Sequence, residues 1–221
     1  MKVSGYVLAG GQSARMGRDK ALLRLGEHTL LEIALNKLRQ VCTDVAILCG
    51  SEHHGEQLAP YGRVVVDRIP QSGPLSGLDA ALHDAQQETI LIVAVDTPRL
   101  PITLLQQLVN ANSVSRTQVQ GGSRGLLAPE IDVPERRALA PALSREFVAC
   151  YEVNGFIHPL PLRINKSALF AIEATLTGNN IALLPLLRTL GLQTIPSRDE
   201  SLFVNINTPE DFITLQSNEI G

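Results

Sequence analysis

The sequence predicts an α/β protein with a doubly wound, mostly parallel sheet and helices on both faces, arranged in three layers. In the first half, short apolar runs alternate with segments whose apolar residues recur at helical spacing. The runs at 64–66 and 89–95 are almost entirely apolar, which is typical of strands buried on both faces of a parallel sheet. The length of 221 residues is within the range of a single domain of this class.

Four strands are predicted in the first half, at residues 3–8, 44–49, 63–67 and 89–95. The helix that follows the first strand begins at Thr29, because Thr29 and Glu32 have the spacing of a capping box and apolar residues then recur at helical intervals. Two more helices are predicted, over 78–86 and from Pro101 to about Asn110. Strand and helix therefore alternate, as parallel strands require.

The second half is less regular. Strands are predicted at 156–163 and 202–206, and helices at 165–176, at 180–190 and after Thr208. Thr208 has the right chemistry to cap the last helix, and Pro209 suits its first turn. The interval 113–150 is predicted to be a loop or small excursion with one short helix near 135–147.

Composition excludes several classes of protein. The net charge is −3 and tryptophan is absent, which argues against nucleic acid as a partner. The three cysteines, Cys42, Cys49 and Cys150, form no C-x-x-C pair, so neither a zinc site nor a disulfide framework is predicted, and a reducing cytoplasm is the expected location. No signal peptide or membrane-length apolar run is found, so no membrane association is expected.

A glycine-rich loop at 9–20 follows the first strand and contains Gly10, Gly11, Gly17, Arg15 and Lys20. Backbone N–H groups of such a loop, with cations nearby, suit a phosphate. Five residues separate Gly11 from Gly17, so the loop is not a P-loop. Gly10 and Gly11 are adjacent, which excludes the dinucleotide fingerprint. The alternative is an ordinary surface loop with solvated charges.

Asp67 and Asp96 each follow a predicted strand. Ligands of doubly wound sheets bind beyond the carboxyl ends of the strands, so both aspartates and the glycine-rich loop are expected at one edge. There the Asp96 carboxylate can hold Mg²⁺ while nucleotide phosphates complete its coordination. The alternatives are that Asp67 is a turn residue and that Asp96 caps the next helix. The convergence of three segments favours nucleotide chemistry.

Four motifs in this order resemble those of the nucleotidyltransferases that act on the molybdenum cofactor and on sugars. They are Leu8-Ala9-Gly10-Gly11 through to Asp19-Lys20, Gly73-Pro74-Leu75-Ser76-Gly77-Leu78, Asp96-Thr97-Pro98, and Val204-Asn205-Ile206-Asn207-Thr208-Pro209-Glu210. The resemblance covers residues 3–110 well and 155–215 loosely. It implies a Rossmann-like nucleotidyltransferase fold in a single domain, 1–221, with a nucleotide-binding half (1–112) and an acceptor-binding half (113–221).

The sequence is most similar to the guanylyltransferase branch of that family. This resemblance implies transfer of GMP from GTP to the phosphate of molybdenum-bound molybdopterin, with release of pyrophosphate. Gly10-Gly11 favours guanine, since relatives that use CTP or sugar phosphates tend to have Ala-Ala-Gly at positions 9–11. Two alternatives stay open: a CTP-dependent or sugar-phosphate nucleotidyltransferase on the same fold, and a non-catalytic nucleotide-binding adaptor.

The resemblance also implies roles for the residues that match its motifs. Arg15 and Lys20 would bind the triphosphate, consistent with the fork geometry of arginine and the point charge of lysine. Asp96 would be the metal ligand, with Mg²⁺ as the cofactor. Backbone groups at the start of the loop would contact the base and the phosphates, namely those of Leu8, Ala9, Gly10 and Gly11.

Asp67 would bind the guanine or the ribose, as the corresponding aspartate of the family does. Asn205 and Asn207 are two apart in a predicted strand, so their amides would share one face and could bind a pterin-like acceptor or a metal-bound water. The chain departs from its nearest relatives at the end of the second strand, where Leu48-Cys49-Gly50 stands in place of an expected asparagine. His158 is left outside the predicted site. GTP and molybdenum-bound molybdopterin are the expected partners, and whether a delivery or acceptor protein hands over the cofactor stays open.

Overall fold

The computed structural model describes residues 1–9, 19–69, 73–111, 148–176 and 182–217. The strands in these ranges are β1 (Val3–Leu8), β2 (Arg24–Leu25), β3 (His28–Thr29), β4 (Asp44–Cys49), β5 (Val64–Val66), β6 (Thr89–Ala94), β7 (Ala149–Val153), β8 (Phe156–Asn165) and β9 (Gln193–Ser197). The α-helices are α1 (Leu30–Leu38), α2 (Glu52–Leu58), α3 (Pro74–Asp84), α4 (Ile102–Asn110), α5 (Leu169–Leu176), α6 (Leu183–Thr189) and α7 (Pro209–Ser217).

One seven-stranded sheet has the order β5-β4-β1-β6-β8-β7-β9, and β2 and β3 form a separate antiparallel pair. Strands β5, β4, β1 and β6 run parallel, β8 runs antiparallel to β6 and β7, and β9 is parallel to β7. The predicted α/β fold with a mostly parallel sheet is confirmed. In the β1–β6 register Val3 pairs with Thr89 and Leu8 with Ala94, so the two central strands end at the same level.

The sheet is buried on both faces. Alternate residues of β1 point to opposite sides, so that Val3 and Val7 belong to one core and Tyr6 to the other. Helices α1 and α4 supply the first core with residues such as Leu35 and Leu105. Helices α3, α5 and α6 supply the second core. This two-sided burial is what the nearly continuous apolar strands predicted.

The N-terminus of α1 has the predicted capping box. The Glu32 backbone N–H donates to the Thr29 hydroxyl at 3.1 Å, and the Thr29 backbone N–H donates to the Glu32 carboxylate at 2.7 Å. These two bonds satisfy donors that a helix start leaves without partners. The last helix begins as predicted too, since the Thr208 hydroxyl accepts from the Asp211 N–H at 3.2 Å.

The predicted strand at 202–206 is wrong. Residues Glu200–Phe203 form a short 3-10 helix, and 204–207 continue without ladder pairing. The Asp199 carboxylate accepts from the Ser201 backbone N–H at 3.0 Å, and this bond starts a turn that competes with strand pairing. The buried residues Phe203 and Ile206 are three apart, a spacing that a strand cannot direct to one face.

Other boundaries also shift. Helix α3 begins at Pro74, four residues before the predicted start. The first turn of a helix tolerates proline, because the N–H that proline lacks would have no partner within the helix there. The helix predicted from 165 begins with a 3-10 turn, Lys166–Ala168. Strands β7 and β9 were not predicted, and β7 begins inside the interval assigned to a loop. The remainder of that interval, with the predicted helix at 135–147, lies outside the described residues.

Among the described helices, none combines the length and apolar character that crossing a bilayer requires.

Gly5, near the centre of β1, lies where the core leaves no room for a side chain. A Cβ added there would lie 2.7 Å from Cys42 Sγ and 3.0 Å from Cys42 Cβ. Gly5→Ala should therefore lower the free energy of unfolding by about 1–3 kcal/mol, the usual cost of overpacking. Denaturant unfolding measures this change. In a Cys42→Ala background the same substitution should cost less, since the closest atom is gone, and equal costs in both backgrounds would contradict the explanation.

Candidate active site

Backbone hydrogen bonds hold the ends of the parallel strands together. Ala9 N–H donates to Leu48 O at 3.0 Å, and Val95 N–H donates to Leu8 O at 3.3 Å. Asp67 N–H donates to Cys49 O at 2.8 Å. Asp67 and Asp96 are thereby placed beside the start of the glycine-rich loop, at the sheet edge that the sequence predicted.

Lys20 is the residue on which the site converges. Its ammonium lies 3.5 Å from Asp96 Oδ2 and donates to Asn207 Oδ1 at 3.1 Å. Only 16% of the Lys20 side chain and 24% of the Asp96 side chain are exposed. The structure thus joins three predicted residues that come from three separate motifs.

The segment 204–207 reaches this edge through its backbone. Ile206 N–H donates to Asp96 O at 2.9 Å, and the Asp211 carboxylate accepts from the N–H groups of Asn207 and Thr208 at 2.8 Å each. These bonds hold the pKa of Asp211 below its usual range. Asn205 and Asn207 are exposed on either side of buried Ile206, so both remain accessible although the predicted strand is absent.

The surroundings of Asp96 suit a hard divalent cation. A carboxylate oxygen and the amide oxygen of Asn207 both approach one positive charge, the Lys20 ammonium, and oxygen ligands of this kind are the ones that Mg²⁺ prefers. Burial raises the pKa of Asp96, and the neighbouring ammonium opposes that rise. A cation at this position therefore favours the ionised carboxylate, which fits the predicted metal role.

Asp67 has a different environment. Its Oδ1 is buried and has no hydrogen-bond partner within the described residues. Burial, with the charge of Asp79, raises the pKa of Asp67 to about 6. A Cβ at Gly50 or at Gly77 would lie 3.8 Å from one of its carboxylate oxygens, so two glycines flank the group. On the Gly77 side, the same Cβ position lies 2.5 Å from Leu8 Cδ1 and 3.7 Å from Leu48 Cδ1, so apolar side chains also approach the group. A buried carboxylate oxygen without a hydrogen-bond partner is suited to receive a donor.

Some of the predicted site residues lie outside the described residues or are already engaged in other contacts. Arg15, Gly10 and Gly11 lie outside the described residues. Leu8 O and Ala9 N–H are already engaged with neighbouring strands, and their predicted contacts with a nucleotide stay predictions. Leu48 and Cys49, which replace the expected asparagine, are fully buried apolar side chains, one in each core, and neither supplies the amide that was expected there.

Two histidines lie near this edge: His54, which the sequence did not single out, and His158, which was left outside the predicted site. His54 Nε2 lies 2.8 Å from Asp19 Oδ2, next to Lys20 in the chain. The imidazole of His158 packs on Phe203 with ring centroids 4.9 Å apart, and Phe203 leads into the Asn205 segment. No motif in the sequence relates position 54 to position 19. His158 was left outside the site because a lone histidine more often has a structural role.

Comparison with known proteins decides the family. The MobA-like NTP transferase domain matches residues 5–191 of this chain. The chain belongs to the MobA-like NTP transferase family. A probable molybdenum cofactor guanylyltransferase of Carboxydothermus hydrogenoformans is 30% identical over 206 residues, which are 93% of this chain and 91% of that relative. The molybdenum cofactor guanylyltransferase of Photobacterium profundum is 29% identical over 95% of this chain and 93% of its own length.

Solved structures agree with membership of the MobA-like NTP transferases at the level of fold. Molybdopterin-guanine dinucleotide biosynthesis protein A from Archaeoglobus fulgidus superimposes with a TM-score of 0.71 at 19% identity, covering 98% of both chains. CMP:2-keto-3-deoxy-manno-octonic acid synthetase, solved with CTP, gives 0.67 at 11% identity over 100% of this chain and 99% of its own. The predicted nucleotidyltransferase class is confirmed by the family.

The raised pKa of Asp67 makes a prediction about stability. The folded-state pKa is about 6 against the ordinary 3.8 of an aspartate side chain, so the folded protein holds this proton more tightly than the unfolded chain. Ionised Asp67 therefore destabilises the fold, by an amount that is absent below about pH 4 and complete above about pH 6. Asp67→Asn should raise the free energy of unfolding by about 1 kcal/mol at pH 7.5, after allowance for solvent screening.

Denaturant unfolding at pH 7.5 and at pH 4 measures this difference, which should shrink at the lower pH. Glu56→Gln is a matched control, because 80% of the Glu56 side chain is exposed, and it should change stability little at either pH. A loss of stability in Asp67→Asn at pH 7.5 would contradict the assignment.

Proposed function

We propose that this protein transfers GMP from GTP to the phosphate of molybdenum-bound molybdopterin and releases pyrophosphate. The observation that carries the proposal is the position of Lys20, whose ammonium contacts Asp96 on the nucleotide side and Asn207 in the predicted acceptor segment. Relatives that align with nearly the whole chain are named molybdenum cofactor guanylyltransferases. Site geometry and family therefore support the same reaction.

The proposed reaction is in-line attack by an oxygen of the acceptor phosphate on the α-phosphorus of GTP. The new P–O bond forms as the bond from the α-phosphorus to the bridging oxygen breaks, and that oxygen leaves with pyrophosphate. A phosphate monoester is largely ionised at neutral pH, since its second pKa is about 6, so the attack needs no general base. Catalysis then depends on holding the two phosphates in line and on positive charge at the leaving group.

Each group of the site has a part in this scheme. Lys20 places a positive charge on the triphosphate, and Arg15, outside the described residues, would add a second. Asp96 would hold Mg²⁺, and Asn207, which contacts the same ammonium as Asp96, would help to orient the groups around the metal. Bound Mg²⁺ would act as a Lewis acid and offset the charge that develops on pyrophosphate. Asn205 would bind the pterin-like acceptor from the same exposed segment.

Asp67 is proposed to select the base. Its buried Oδ1 needs a donor, and the N1–H and exocyclic amino group of guanine are neighbouring donors on one edge. Cytosine has an acceptor at N3 beside its amino group and satisfies a carboxylate less well. Because the pKa of Asp67 is about 6, the carboxylate is mostly ionised at neutral pH and able to accept.

Replacement of Asp96 tests the centre of the proposal. Asp96→Asn keeps the shape of the side chain but removes its charge, and pyrophosphate release should fall by at least about a hundredfold. The melting temperature should stay close to that of the native protein, since Asp96 is a partly buried carboxylate whose burial opposes its ionisation. Turnover near the native rate would show that Asp96 does not hold the metal.

Nucleotide preference separates the alternative reactions. Thermal melting with GTP, CTP, UTP or ATP, each with Mg²⁺, should show the largest rise in melting temperature with GTP. At a GTP concentration of a hundred times the dissociation constant, binding adds about 2.7 kcal/mol to the free energy of unfolding. A larger rise with CTP would favour a cytidylyltransferase. Release of pyrophosphate on addition of molybdopterin decides between an enzyme and an adaptor, because an adaptor would bind GTP without consuming it.

A further inference from the structure

Asp19 uses both of its carboxylate oxygens in contacts within the protein. Oδ1 accepts from the Ala21 backbone N–H at 2.9 Å, which caps the short 3-10 helix Lys20–Leu22. Oδ2 lies 2.8 Å from His54 Nε2. A carboxylate held through two different oxygens cannot rotate freely, so the backbone at Asp19 has one fixed orientation.

His54 comes from α2, on the far side of β4 in the sequence. Its backbone N–H donates to the Ser51 hydroxyl at 3.3 Å. This bond caps the N-terminus of α2 and fixes the backbone of His54 in the first turn. Both His54 and Asp19 side chains are 22% exposed. Since an ionised carboxylate can only accept, Nε2 of His54 is the donor in this bond.

Lys20 follows Asp19 directly, and its carbonyl accepts from the Leu23 N–H at 3.2 Å to close the same turn. Its ammonium then extends to Asp96 and Asn207. A lysine side chain has many rotamers, so its ammonium stays at one point only if the backbone at its base is fixed. Asp19 fixes the backbone next to Lys20, and His54 holds Asp19 from helix α2, for which no contact with the reacting groups is predicted.

We propose that His54 is a positioning residue which, through Asp19, sets the place of the Lys20 ammonium on the triphosphate. The inference rests on the proposed function for the identity of the nucleotide. A single partly exposed hydrogen bond of this kind adds little to stability. The main consequence of losing the bond should therefore be weaker GTP binding, with the melting temperature lowered by no more than about 4 °C.

The test is titration calorimetry of the full chain with GTP and Mg²⁺. His54→Ala should raise the dissociation constant about tenfold, because Lys20 is no longer held on the phosphates. His54→Gln should stay within about threefold of the native protein, since its Nε2 reaches the position of the imidazole Nε2. His54→Asn should behave like His54→Ala, because its shorter amide ends near the position of Nδ1.

Two controls separate positioning of Lys20 from a general structural role. His53→Ala alters the neighbouring histidine of the same helix, whose side chain is 84% exposed, and should leave the dissociation constant unchanged. In a Lys20→Ala background, His54→Ala should change the dissociation constant by less than about twofold, since the ammonium it positions is absent. A full tenfold effect in that background would overturn the proposal, as would equal losses in His54→Gln and His54→Asn.

Turnover measurements add a second readout. Pyrophosphate release by the native protein with GTP and molybdopterin tests the proposed function alone. If that activity is present, His54→Ala should raise the KM for GTP more than the KM for the acceptor. Equal changes in both KM values would overturn the inference. If the native protein binds GTP but transfers nothing, the proposed function fails, and the calorimetric series still decides the role of His54.

Discussion

The ammonium of Lys20, held between the Asp96 carboxylate and the Asn207 amide oxygen, is the interaction on which the candidate site depends. It joins positions that are 187 residues apart in the chain. A partly exposed ion pair of this kind contributes about 1 kcal/mol or less to stability, so its importance is geometric. It places one positive charge where the glycine-rich loop, the end of β6 and the segment before α7 meet.

The sheet makes that meeting possible. Because β1 and β6 are parallel and in register from Val3–Thr89 to Leu8–Ala94, the chain leaves both strands at the same level. The hydrogen bond from Ile206 N–H to Asp96 O then attaches the late segment without a further strand. Strands β5, β4 and β1, from the predicted nucleotide-binding half, lie on one side of β6, and β8, β7 and β9 lie on the other. Asp96 is therefore at the boundary between the two predicted halves.

The sequence predicted the parallel strands of the first half and the start of α1 because their signals are local. The buried parallel strands are continuous apolar runs, and the capping box of α1 needs only positions 29 and 32. The predicted strand at 202–206 failed because Asp199 starts a turn that an apolar count does not reveal. Strands β7 and β9 were not predicted because each is short and is stabilised by pairing with its neighbour. That pairing is not visible in the sequence of either strand alone.

By itself, the sequence determined the α/β class, the parallel strands of the first half and the individual candidates Lys20, Asp67, Asp96, Asn205 and Asn207. Only the tertiary structure decided that Lys20 contacts Asp96 and Asn207, that Asp67 has an orphaned buried oxygen, and that His54 holds Asp19. The reason is physical. Local propensity and burial are encoded in neighbouring residues, whereas a hydrogen bond between distant side chains exists only once the sheet has fixed the separation of the elements that carry them.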